Sequence, residues 1–65
     1  MMGLYDFMDA AIAEDLGVDV EVYVEVIENK CTHWEATFII GAMFDEERED
    51  RKLRAKNLFM ECQSR

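Results

Sequence analysis

No proline occurs in these 65 residues, and there is no Ser/Gly-rich linker, so nothing marks a boundary between domains. Glycine is also scarce, at three residues, and no glycine-rich phosphate loop is present. Two cysteines, Cys31 and Cys62, fall short of the four or more that staple small secreted scaffolds. They read as reduced thiols packed like small hydrophobes. One histidine leaves little material for acid–base chemistry. The apolar runs are too short to span a bilayer, which takes about 20 residues. The start Met1-Met2-Gly3-Leu4-Tyr5-Asp6 lacks the Lys or Arg of a secretory signal. These absences predict a cytoplasmic protein outside the membrane.

Basic residues are the most telling shortage. Residues 1–50 hold fourteen acids against Lys30 and Arg48, a net of −12. Residues 51–65 hold Arg51, Lys52, Arg54, Lys56 and Arg65 against Glu61, a net of +4, which gives −8 overall. Nucleic-acid affinity comes largely from cations neutralising phosphates, so direct binding to DNA or RNA is disfavoured. A basic protein surface is a better match.

What the chain has is apolar substance: 51% of its residues are hydrophobic, which argues against disorder. A chain of this length still buries only about 60% of its unfolded surface, so its core is marginal. Residues 1–65 therefore read as a single small domain that benefits from a partner subunit.

Four segments follow along the chain. From about 4 to 16, Met8, Ala11, Ile12 and Leu16 recur at helical spacing, and Gly17 stands where a helix C-cap glycine would. In the second segment, where a helix would run from 19 to 29, Val18, Val20, Val22, Val24 and Val26 alternate with other residues, as in a strand. The same residues also suit a helix. At about 100° per residue, Tyr23, Ile27, Val20 and Val24 share one stripe, with Val22 and Val26 beside it, while Glu21, Glu25 and Glu28 share the opposite face. Asp19 would be its N-cap. The strand reading needs a partner in 37–44, but Thr32-His33-Trp34-Glu35 has the form of a capping box, which starts a helix there.

That third helix, 32 to 44, carries Ala36, Ile39, Ile40, Met43 and Phe44 at helical spacing, widened by Phe38 and Ala42. Only His33, Glu35 and Thr37 look wet, and so apolar a helix is expected at the centre of its domain. The fourth, 46 to 62, opens on Asp45 as N-cap, with pairs Glu47–Arg51 and Asp50–Arg54 at i,i+4. Ala55, Leu58, Phe59 and Cys62 form its buried stripe, and Leu53 and Met60 form a second apolar one. The fold class is all-α, a bundle of four short helices. The alternative is an α-β-β-α arrangement with a two-stranded ribbon, which would be marginal unless helices cover it.

The segment Asp9-Ala10-Ala11-Ile12-Ala13-Glu14-Asp15-Leu16-Gly17-Val18 resembles the first helix and turn of a helix-turn-helix motif. The resemblance covers about twenty residues. It implies that Asp19–Glu28 is a recognition helix, but that helix has four acids and no base, where groove-reading helices use Arg, Lys, Asn and Gln. A regulator of that type is therefore disfavoured. The run Asp45-Glu46-Glu47-Arg48-Glu49-Asp50 lacks the glycine and alternating ligands of a calcium loop and reads as a solvated helix start. Cys31, His33 and Cys62 fall short of the four Cys/His ligands of a structural zinc site. The residues thus call for no metal and no cofactor, and neither a nucleophile site nor an enclosed pocket points to an enzyme.

Acidity beside surplus apolar side chains predicts a non-catalytic protein–protein interaction module, one that pairs with a second copy into a homodimer. The apolar contact candidates are Tyr5, Trp34, Phe38, Leu53 and Met60, with Phe7 beside them. The acidic candidates are Glu21, Glu25 and Glu28. A sharper alternative is an inhibitor of the kind phages and mobile elements encode, whose carboxylates mimic phosphates and block a nucleic-acid-binding protein. The blander account is that the acids keep an apolar small protein soluble.

Overall fold

The local chemistry of each segment decides in favour of helices throughout. In the computed structural model, which describes residues 7–65, four helices follow one another: α1 Phe7–Leu16, α2 Val20–Asn29, α3 His33–Met43 and α4 Glu49–Ser64. No strand occurs among the described residues, so the α-β-β-α alternative is not supported. Tyr5, and the expected start of the first helix at residue 4, lie outside the described residues.

Gly17 ends α1 as its position suggests. Its φ is +79°, a conformation that a Cβ would strain. Its N–H donates to the Glu14 carbonyl at 3.1 Å and that of Val18 to the Ala13 carbonyl at 3.0 Å, the paired bonds of a Schellman cap. The chain turns at once into α2, so the expected αα-corner exists. Ile12, Ala13 and Val26 are buried in it, with Leu16 and Val18 packed alongside. Asp19 occupies the N-cap position of α2 without a side-chain capping bond.

In α2 the valine alternation loses to the 3.6-residue period. Tyr23 and Val26 are fully buried, and Val20, Val22, Val24 and Ile27 flank them. Glu21, Glu25, Glu28 and Asn29 share the outer face, all exposed. Relative to the expected stripe, the core-facing line is rotated towards Val26 and away from Val24.

The capping box of α3 is present in both halves. The Glu35 N–H donates to Thr32 Oγ1 at 3.3 Å, and the Thr32 N–H donates to Glu35 Oε1 at 2.8 Å. The fourth helix starts later than expected, at Glu49 rather than 46. Asp45 is not its N-cap. The Asp45 carboxylate instead accepts the Glu47 N–H at 3.3 Å and the Arg51 guanidinium at 3.0 Å, which holds 45–48 as a turn. The expected pairs Glu47–Arg51 and Asp50–Arg54 are likewise replaced. Arg51 reaches back to Asp45, and Arg48 meets Asp50 at 3.5 Å.

The main packing contacts run α1 on α2, α2 on α4, α4 on α3 and α3 on α1. The four helices thus enclose the core as a ring, and α3 is a member of that ring rather than its centre. This corrects the expectation drawn from its apolar character. The core comprises Ile12, Ala13, Tyr23, Val26, Ile39, Ala42, Met43, Ala55, Phe59 and Cys62. Apolar surface on α3 that a central helix would bury, Trp34 and Phe44 among it, is left outside.

One core residue is imperfectly accommodated. Tyr23 is 1% exposed and stacks on Phe59 at 6.0 Å between ring centroids, but its hydroxyl has no hydrogen-bond partner among the described residues. Burial, then the charges of Asp9 and Cys31, push its pKa up to about 12. Tyr23→Phe keeps the ring and removes the stranded hydroxyl, so it is expected to stabilise the fold by about 1 kcal/mol. The folded pKa stands above the unfolded value of about 10, so the neutral hydroxyl's contribution is fully present below pH ~10 and lost as pH rises towards 12. Urea melts from neutral to alkaline pH should show the variant ahead at neutral pH and losing less stability above pH ~10. A variant less stable than the parent at neutral pH would contradict this.

Candidate functional site

Three surfaces and one buried cluster hold the candidate residues, and the helices that carry them decide which act together.

A partly apolar groove runs between α3 and α4. Trp34, Phe38, Arg54, Asn57, Leu58 and Glu61 line it, around a volume of about 390 Å3. Trp34 lies one turn before Phe38 on α3, so both face α4. Trp34 is 65% exposed. Phe38 is half-buried, with the Arg51 guanidinium 5.6 Å over its ring, a cation–π contact that covers one face. Leu58 forms the half-buried floor. Arg54 and Glu61 form the rim on α4, and both are exposed.

Leu53 and Met60 do not belong to this groove. They are 61% and 62% exposed and share the side of α4 directly opposite Ala55, Phe59 and Cys62. At about 100° per residue, that ridge is roughly a third of a turn from the Arg54–Glu61 edge. The apolar candidates therefore split into a groove (Trp34, Phe38) and a ridge (Leu53, Met60). Leu58, Arg54 and Glu61 were not among the sequence candidates. Leu58 reads from the sequence as core, and only the placement of α3 beside α4 shows it as the half-buried floor of a groove. Phe44 and Phe7 are further exposed aromatics, at 49% and 88%.

The acidic face is as expected in placement. Glu21, Glu25 and Glu28 project from the outer side of α2, and none of them takes part in an ion pair among the described residues.

The buried cluster departs from expectation. Glu35, read from the sequence as wet, is 5% exposed. Its carboxylate accepts two bonds from the Arg65 guanidinium, Nη1 to Oε1 at 2.9 Å and Nη2 to Oε2 at 2.8 Å. Arg65 also donates to the Lys30 carbonyl at 3.1 Å. Cys62 Sγ lies 3.6 Å from Glu35 Oε1 as a thiol donor. The end of α4 thereby covers the start of α3 and the turn that follows α2. The Arg65 hydrogen bonds, then the Thr32 N–H, hold the Glu35 carboxyl down at about 2, and Glu35 in turn raises Arg65. Burial first, then the neighbouring Cys62 and Glu35, push the Cys31 thiol up to about 12. Both cysteines are free thiols, with Cys62 buried as expected and Cys31 half-buried. His33 is exposed and stands apart from this group.

No helix among the described residues is long and apolar enough to cross a membrane. Comparison of this chain with protein-family models, with curated proteins and with solved structures finds no match.

Proposed function

We propose that this chain is a non-catalytic interaction module that pairs with a second copy of itself through the α3–α4 groove. The observation that supports the reading is the charge order along the groove's rim. Arg54 and Glu61 stand about two helical turns apart on one edge of α4, with Asn57 and Leu58 midway between them. A two-fold axis through that midpoint sets α4 antiparallel to its copy. Arg54 of each chain then meets Glu61 of the other, as an isologous interface requires. The exposed Trp34 rings and Leu58 come together beneath these two ion pairs. Aromatic side chains buried behind a polar rim are the usual anatomy of a protein contact.

Charge also favours this side. The body is strongly acidic, whereas residues 51–65 carry a net of +4. Two copies that approach along α4 keep their acidic α2 faces away from the contact.

Charge reversal tests the proposal. In sedimentation velocity over a dilution series, the parent is expected to dimerise at micromolar concentrations. Arg54→Glu alone, or Glu61→Arg alone, is expected to weaken the dimer by at least about tenfold, because each places like charges in contact. The double variant Arg54→Glu/Glu61→Arg restores the pairs in swapped form and is expected to recover most of the affinity. A parent that stays monomeric at high micromolar concentration sinks the reading. So does a double variant no better than the singles.

The acidic face supports a second reading, that of a nucleic-acid mimic. Three unpaired carboxylates on one exposed helix face are the supporting observation. Replacement of Glu21, Glu25 and Glu28 by Gln is the discriminating change. If partners captured by the parent are all retained by that variant, the face plays no part.

A further inference from the structure

Three separated pieces of sequence converge at one end of the ring. Cys31 comes from the turn after α2, Glu35 from the first turn of α3 and Cys62 from the last turns of α4. Their two sulfurs and a carboxylate oxygen all lie within 4.8 Å of one another. A tetrahedral zinc ion with Zn–S of ~2.3 Å and Zn–O of ~2.0 Å holds a sulfur and an oxygen about 3.5 Å apart, and two sulfurs about 3.8 Å apart. The Cys62 Sγ to Glu35 Oε1 separation of 3.6 Å already meets the first of these spacings.

We propose that Cys31, Cys62 and Glu35 form a binding site for one thiophilic divalent cation of the zinc class. Two thiolates and a carboxylate suit that class better than they suit magnesium or calcium, which take oxygen ligands. The three donors leave a fourth position open, and Cys31 is half-buried, so water can complete the shell from its side. Binding is a proton exchange without redox change. Both S–H bonds break, two metal–sulfur bonds form and two protons leave to solvent.

The surroundings fit the exchange. Glu35 Oε1 already accepts the Thr32 N–H, an Arg65 N–H and the Cys62 thiol. Once the ion is in place, the Cys62 bond becomes a shared ligand edge, and the Arg65 bond to Oε1 yields to the ion. The second Arg65 bond, Nη2 to Oε2 at 2.8 Å, stays and orients the carboxylate from outside, as outer partners of metal ligands do. The ion would join the α2–α3 turn to the end of α4, where the Arg65 bond to the Lys30 carbonyl and the Lys30 ammonium bond to the Gln63 carbonyl now make that link.

A disulfide between the same two cysteines is the competing outcome, and one experiment separates them. The fully reduced chain is titrated with Co2+, then with Zn2+ as competitor, and native mass is recorded in parallel. One ion per chain is expected, with thiolate-to-cobalt charge-transfer absorption that zinc abolishes and a thermal midpoint raised by zinc. Cys31→Ser, at the half-buried position and so the safer change for folding, is expected to lose the charge-transfer band while keeping its far-UV spectrum. Glu35→Gln is expected to weaken binding by at least about tenfold. Zinc affinity equal in the parent and in Cys31→Ser overturns the proposal. So does a parent that takes up no ion and loses two hydrogen masses in air.

Discussion

Phe59→Ala is expected to leave the chain largely unfolded at room temperature. Phe59 is 2% exposed and stacks on Tyr23, and it is the largest side chain that α4 sends into the core. Its truncation costs about 3–5 kcal/mol from lost burial and the cavity left behind. A domain of this length has only about 3–10 kcal/mol of stability in total. Relaxation offers little help. The neighbours on α4's buried line are Ala55 and Cys62, both small and fully buried, and neither can fill the space of a phenyl ring. Leu58→Ala, on the half-buried floor of the groove, is expected to cost distinctly less and to keep a cooperative transition. Far-UV circular dichroism with thermal and urea melts reads both. A Phe59→Ala variant that melts cooperatively within a few degrees of the parent would show that α4 is held by its polar end and not by its core stripe.

Periodicity made most of the fold readable before any coordinates. The buried stripe of α4, the Gly17 turn and the α3 capping box are local signals, written in residues a few positions apart. Even α2, where valine alternation imitates a strand, is settled locally: a helix starting at Thr32 removes the only partner strand. What periodicity cannot carry is the pairing of distant ends. Glu35 stands at the third position of a helix, normally a wet site, so it reads as solvated. It is buried because Arg65, thirty residues later, folds over it. His33 and Thr37, two residues to either side, stay exposed as read. The same blindness affects the cysteines. Cys62 falls on a helical stripe and reads as core, while Cys31 sits in a turn, where no period shows which helix end comes to it. Asp45 is a different kind of miss. Its carboxylate has two uses, helix cap or turn stabiliser, and Arg51 in reach favours the second.

The groove belongs to the same class of long-range facts. Leu53, Met60, Trp34 and Phe38 were all legible as surplus apolar residues, but their division between ridge and groove depends on where α3 lies against α4. That division changes the expected chemistry of contact. Leu53 lies on α4 alone, among Glu49, Asp50, Lys52 and Lys56. Trp34 and Phe38 have a charged rim of both signs. An apolar groove between two helices with a self-complementary rim specifies a geometry, while a ridge on one helix supplies only stickiness.

Arg65→Ala is expected to destabilise the chain far more than its exposed position suggests. An exposed ion pair is ordinarily worth little. This one is asymmetric: the Arg65 side chain is 45% exposed, the Glu35 side chain 7%. Removal of the arginine strands a buried carboxylate with only the Thr32 N–H and the Cys62 thiol as donors, and stranding of that kind is the costly way to break a pair. The reverse change, Glu35→Ala, frees an arginine that can turn to water. It also deprives the Thr32 N–H of its acceptor and removes half of the capping box. Its cost should therefore exceed that of Thr32→Ala, for which about 1 kcal/mol is expected from the lost cap. The distinguishing case is the pair of changes together. If burial of charge is the cause, Arg65→Ala/Glu35→Gln is more stable than Arg65→Ala alone, because the second substitution neutralises the group that the first left unpaired. Urea midpoints of Arg65→Ala and of the double variant decide it, with the exposed Gln63→Ala as control. An Arg65→Ala midpoint equal to that control would mean that solvent replaces the guanidinium freely, and that the end of α4 does not hold the start of α3.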